Sequence, residues 1–183
     1  MTIRNIDIKV HPSFLLAVLW VTYFWSGDGL RGYLFGLFIL VAVFACVVGH
    51  ELAHGFVALR YGIAVYDITL LPIGGVARIE QAALTPRREV TIAIAGPLLN
   101  ILVALGLLPL VFLIALSRHA HDFFSLLVIT QGTDASALIL HLWLANVMLA
   151  LFNLLPAFPM DGGRILRAAL TAATTRVVAT RVS

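Results

Sequence analysis

Residues 2–11 alternate apolar and polar side chains (Ile6, Asp7, Ile8, Lys9, Val10), a period of two that predicts a short strand at a membrane surface. Four long apolar runs follow, over about 12–26, 32–59, 90–116 and 135–155, and each is expected to form a membrane-crossing helix. The first is short. From Pro12 to Trp25 a helix rises about 21 Å against a hydrocarbon layer of ~30 Å, so local thinning or extension past Gly27 is expected. Between the second and third runs, residues 63–80 turn β-branched and aromatic around Leu71, Pro72, Ile73, Gly74 and Gly75. They predict a two-stranded hairpin at membrane depth, which must be shielded by protein or face a wet cavity. In the third run Gly96-Pro97 is expected to bend the helix. The segment from Ser117 to Asp134 is too short for an inserted soluble domain, and the tail over about 162–183, with Arg164, Arg167, Arg176 and Arg181, reads as an interfacial or cytosolic helix.

Composition sharpens this pattern into a class. At 61% hydrophobic and 11% charged residues, with a mean hydropathy of +1.03, 183 residues cannot hide their apolar surface in a water-soluble globule. Runs this long exclude barrel strands, which leaves an all-α membrane protein: one polytopic helix bundle with a short membrane-associated hairpin. Cys46 is the lone cysteine, so no disulfide staples the chain. The first run ends in Tyr23, Phe24, Trp25 and Asp28, without the small residues of a cleavage site, so it is expected to persist in the mature protein. With the N-terminus inside, Arg4, Lys9, Arg60, Arg78, Arg87, Arg88, Arg164 and Arg167 fall on the cytoplasmic side, against Arg31 and Arg118 outside. The net charge of +3 is then a membrane-facing feature, and no basic patch with interleaved aromatics points to nucleic acid.

In the second run the ionisable side chains before Arg60 are His50, Glu51 and His54. Such residues in hydrocarbon are costly and usually functional. His50-Glu51-Leu52-Ala53-His54 has the His-Glu-x-x-His form, which on a helix sets two imidazoles about 40° apart in angle and ~6 Å apart in rise, where both can bind one tetrahedral metal. Glu51 is displaced around the helix, a place suited to a general base rather than a ligand. A catalytic zinc takes a third protein ligand and keeps one position open. Asp161 is the expected third ligand. It follows the helix-stopping Pro156 and Pro159, precedes Gly162-Gly163, expected to free the backbone so that the carboxylate turns inward, and matches the depth of His54 relative to flanking arginines. Alone, an aspartate before two glycines is an ordinary turn residue or cap; beside a paired imidazole it is a ligand candidate.

These residues resemble the site-2 protease family of intramembrane zinc metalloproteases. The resemblance rests on His50–His54, on Ala95-Gly96-Pro97-Leu98-Leu99-Asn100 and on the run from Asn153 through Pro156 and Pro159 to Asp161-Gly162. It implies one zinc ion held by His50, His54 and Asp161, Glu51 as acid and base, and Asn153 holding substrate or the oxyanion. It further implies that Leu70–Ala77, including Leu71, Gly74 and Gly75, lies beside the active site, where an extended substrate pairs with an edge strand. The implied activity is hydrolysis of a peptide bond in or next to the transmembrane segment of a single-span membrane protein, in a prokaryotic cell membrane, with the active site toward the cytoplasm. No PDZ domain is present. The opening His11-Pro12-Ser13-Phe14 is similar to members carrying regulatory CBS domains after the membrane core, and the family usually continues into further spans, so this chain reads as the core of a longer protein. The rival reading is an intramembrane zinc transporter or channel, whose second polar station would have to be His141. Cys46, one turn before His50, is expected to be a small buried residue, and Asn100 and Asn146 interhelical hydrogen-bond donors.

Overall fold

A computed structural model describes residues 2–3, 6–71, 74–80 and 85–182. The alternating N-terminal segment forms β1 (Thr2–Ile3) and β2 (Ile6–Val10), and the first apolar run forms α1 (Phe14–Phe24). With 11 residues, α1 rises only about 16 Å and cannot cross a bilayer by itself. A 3-10 turn at Ser26–Asp28 leads directly into α2 (Gly29–Arg60). The reason is a glycine face on α2. Trp25 folds back so closely that a Cβ at Gly36 would lie 2.6 Å from its indole, and one at Gly32 would strike its carbonyl oxygen. Among the described residues three helical segments, not the four expected, are long and apolar enough to span: Ser26–Arg60, Pro86–Ser117 and Ala135–Asn153.

After α2 come β3 (Val65–Leu71) and β4 (Gly74–Ile79), as the β-branched stretch predicts; Pro72 and Ile73 at the turn lie outside the described residues. Then follow α3 (Pro86–Ser117), α4 (Phe123–Ile129), α5 (Ala135–Asn153) and α6 (Asp161–Val182). Thr85 caps α3 ahead of Pro86, a residue suited to the first helical position. α3 then runs unbroken through Pro97 and Pro109. Within the segment from Ser117 to Asp134, Asp122 accepts from the Ser125 amide at 2.7 Å and caps the short α4.

The strands form one sheet in the order β1-β2-β3-β4. β2 pairs in parallel with β3 and β3 antiparallel with β4, so the crossover between β2 and β3 is the whole α1–α2 hairpin. A bulge between Val65 and Asp67 turns Tyr66 outward and leaves Ile68 and Leu70 buried. Those residues pack with Val47 and Ala58 of α2, Ile79 of β4 and Ile92 of α3, which seats the sheet on one end of the bundle beside His50–His54.

Asp67, 1% exposed, fastens the sheet. Arg78 grips both of its carboxylate oxygens, and Lys9 Nζ donates to Oδ2 at 2.5 Å. The Arg78 hydrogen bonds, with Lys9 second, hold this carboxyl well below the usual carboxylate range. Its stabilising contribution is therefore complete above pH ~4 and is lost as pH falls toward the lower folded value. Hydrogen exchange of the Ile8–Val10 amides should be pH-independent in protection from pH 5 to 8, and Asp67→Asn should lower that protection at pH 7. Unchanged protection in the variant would remove Asp67 as the fastener.

Candidate active site and metal centre

His50 and His54 lie one helical turn apart on the buried face of α2, 3% and 2% exposed. Their rings meet edge to face and their Nε2 atoms are 3.1 Å apart. Asp161, the first residue of α6, brings Oδ2 to 3.2 Å from the His50 Nε2 and 3.1 Å from the His54 Nε2. More than a hundred residues of chain separate it from the histidines, and the turn after α5 delivers it to them. Arg164, one turn further along α6, places Nη1 3.6 Å from the other Asp161 oxygen, Oδ1.

These three atoms form a triangle that fits a metal. Ligands bound tetrahedrally at about 2.0–2.1 Å lie roughly 3.3–3.4 Å from one another, close to the observed separations. The donor chemistry agrees. His54 Nδ1 is 2.6 Å from the Ile92 carbonyl, which can only accept, so the proton sits on Nδ1 and the Nε2 lone pair faces the centre. An imidazole lone pair and a carboxylate oxygen at 3.1 Å repel unless a proton or a metal cation lies between them, and the triangle leaves room for the metal. The His/His/Asp cluster can thus bind one metal ion, and among the described residues it is the one cluster of this kind.

Glycines let backbone and ring approach here. A Cβ at Gly96 of α3 would lie 2.6 Å from the His50 Nε2 and strike the His54 Nε2, so a larger residue would fill the space the triangle surrounds. Gly162 and Gly163, expected to supply conformational freedom, are helical instead and have no positive φ. Their role is the missing side chain. A Cβ at Gly163 would sit 2.6 Å from the Ala157 carbonyl oxygen, and one at Gly162 would strike the Leu154 and Leu155 carbonyls. Only without those atoms can α6 start hard against the preceding turn and hold Asp161 inward.

The cluster opens into a cavity of 1670 Å³ whose lining includes Glu51, Asn153, Leu71, Gly74 and Gly75. Glu51 points to the β4 side, where a Cβ on Gly75 would lie 2.6 Å from its Cγ. Asn153, the last residue of α5, donates Nδ2 to the Leu149 carbonyl at 2.9 Å and keeps a second N–H for the cavity. All eight residues singled out in the sequence therefore border one space. Cys46 stands apart, 3.3 Å from Asn146 Nδ2, and His141 is tied to the Ala137 carbonyl at 2.8 Å and to the Trp25 ring. What sequence reasoning missed is the orienting layer: the Ile92 carbonyl, the Gly96 contact, and the role of Asn100, expected as an interhelical donor, whose Oδ1 instead meets His50 Nδ1 at 2.9 Å. A Gly-Pro pair inside an apolar helix was the available signal.

Known proteins share this architecture. A zinc metalloprotease of Methanocaldococcus jannaschii is 36% identical over 169 residues, covering 92% of this chain and 44% of the relative. The Rip3 protein of Mycobacterium tuberculosis is 35% identical over 183 residues, 92% of this chain and 42% of the relative. This chain thus spans less than half the length of these curated relatives. The solved site-2 protease from Methanocaldococcus jannaschii superposes with a TM-score of 0.66 at 33% identity, over 94% of this chain and 70% of that one. Its spanning helices and these likenesses make the chain an integral membrane protein. The sequence pattern described as Peptidase family M50 matches residues 38–183, from the middle of α2 through both metal-facing segments, and the chain belongs to that family.

Proposed function

We propose that this chain is the core of an intramembrane zinc metalloprotease that hydrolyses a peptide bond within or next to the transmembrane segment of a membrane-anchored protein. The observation that carries this reading is the buried triangle of His50 Nε2, His54 Nε2 and Asp161 Oδ2 at the end of a large cavity shared with Glu51. A zinc ion held there would supply Lewis acidity and bring the pKa of a bound water to about 7. Glu51 accepts a proton from the attacking water and passes it to the leaving amine. Asn153 donates its spare N–H to the scissile carbonyl as negative charge grows on its oxygen.

The cavity exceeds the roughly 300–1,000 Å³ of small-ligand sites, which suits a polypeptide. β4 is the terminal strand of the sheet and its Gly75 abuts Glu51, so a substrate unwound from its helix can pair along β4, past Leu71, Gly74 and Gly75, and present its backbone to the site. Lys9 and Arg78 on the sheet, Arg60 at the end of α2, and Arg87 and Arg88 opening α3 gather at the site end of the bundle, and Arg167 joins them through its ion pair with Glu89. Arg118 pairs with Asp134 at the other end. This asymmetry favours the site lying toward the cytoplasm. The resemblance of His11-Pro12-Ser13-Phe14 to family members with regulatory CBS domains, and the greater length of the archaeal and bacterial relatives, support such domains after the membrane core in a prokaryotic cell. A transporter would need a second metal station on the far side, and His141, occupied within its own helix and by Trp25, offers no partner set.

Incubation of the full-length protein with single-span substrates should give cleavage that a chelator abolishes and added zinc restores. Chelator-resistant cleavage would refute the metal role. Gly75→Ala should retain zinc and cleave more slowly, by up to about 100-fold, because the new methyl displaces the Glu51 side chain. Cleavage at the parent rate would separate the strand from the catalytic group.

A further inference from the structure

We propose that Asn100 is a positioning residue that fixes His50 as a metal ligand through its amide oxygen, as one rung of a rack on α3 formed by Ile92, Gly96 and Asn100. The proposal rests on the metal reading of the site. These three residues are spaced by four and so share one face of α3, matching the four-residue spacing of His50 and His54 on α2. The Ile92 carbonyl meets His54 Nδ1 at 2.6 Å, Gly96 leaves room for both rings, and Asn100 Oδ1 meets His50 Nδ1 at 2.9 Å.

The chemistry assigns the role to the oxygen. To bind a metal through Nε2, His50 must carry its proton on Nδ1, and that N–H must find an acceptor. Asn100 Oδ1 is that acceptor. The opposite arrangement, with the amide nitrogen donating to Nδ1, would force the proton onto Nε2, between the ring and Asp161, where the metal belongs. The surroundings of the amide support the pairing. Asn100 is fully buried, and its Nδ2 has no hydrogen-bond partner among the described residues. A polar side chain buried at that cost, with the His50 ring as its one hydrogen-bond partner among the described residues, is kept for that ring. The other end of the rack needs no side chain, since a backbone carbonyl serves His54, and this is why one polar residue suffices for two histidines.

The test measures zinc affinity by competition with a chelating dye, on purified full-length protein in detergent. Asn100→Leu, which keeps the bulk and removes the acceptor, should weaken zinc binding by about 10–100-fold. Asn100→Asp removes the idle N–H₂ and keeps the acceptor, so it should bind zinc within about threefold of the parent or more tightly, and its cobalt-substituted form should retain the visible band of a tetrahedral site. Asn146→Leu, an equally buried amide on α5 that touches neither histidine, should bind as the parent does. The inference is overturned if Asn100→Leu binds like the parent, if Asn100→Asp is as weak as Asn100→Leu, or if Asn146→Leu loses as much. Should Asn100→Leu not fold, the aspartate variant decides alone, retained zinc supporting the oxygen's role and lost zinc ending it. A parent protein that binds no zinc would instead refute the metal reading itself.

Discussion

Glu51→Gln is expected to leave zinc bound and to slow peptide cleavage by about 10²–10⁴-fold, the usual worth of a positioned general acid and base. The substitution preserves the shape that packs against Gly75 and takes away only the ability to accept a proton. Glu51 is not a corner of the metal triangle, so the zinc content of the variant should equal that of the parent. The decisive measurement pairs the two readouts on one preparation: stoichiometric zinc together with single-turnover cleavage of a membrane-anchored substrate. Cleavage at the parent rate by a clean variant would remove Glu51 from the chemistry, and metal movement across vesicles by that variant would revive the transporter reading.

Removing a corner of the triangle should act on the metal first. For Asp161→Asn, zinc affinity should fall by more than the roughly 10–100-fold that loss of an orienting partner costs, because a charged ligand itself is gone. Stability offers a second readout with a distinctive sign. A ligand that binds only the folded state stabilises it by about 2.7 kcal/mol at a hundredfold excess over its Kd, so zinc should raise the parent's Tm. In the metal-free parent an imidazole Nε2 can carry a proton and donate it to Asp161 Oδ2 at 3.1–3.2 Å, a charge-assisted contact that the neutral amide weakens. Metal-free Asp161→Asn should therefore be no more stable than the metal-free parent, and its zinc-induced rise in Tm should disappear. A full zinc-induced rise in the variant would mean that Asp161 is not a ligand.

The division between what one dimension encodes and what three dimensions decide runs through individual residues. His50 and His54 were readable as a pair because helix geometry alone places positions four apart on one face. The lengths of α2, α3 and α5 were readable as well, since hydrocarbon demands unbroken apolar helices. Asp161 was readable from the prolines before it and the arginine after it, although its glycines serve close packing against the preceding turn rather than backbone freedom. The fold-back that follows α1 was not readable, because Trp25 turns back onto Gly32 and Gly36, a contact with no local signature. Nor was the parallel pairing of β2 with β3, which joins strands separated by two helices, or the meeting of Glu51 with Gly75.

By itself, then, the sequence determined the solvent, the long helices and the imidazole pair of α2, because each follows from the identity or periodicity of residues within one segment. Tertiary structure decided the sheet order, the orientation of each imidazole and the strand that faces Glu51. These depend on which faces of distant segments touch, and packing between faces is a property of pairs that no single stretch of chain contains.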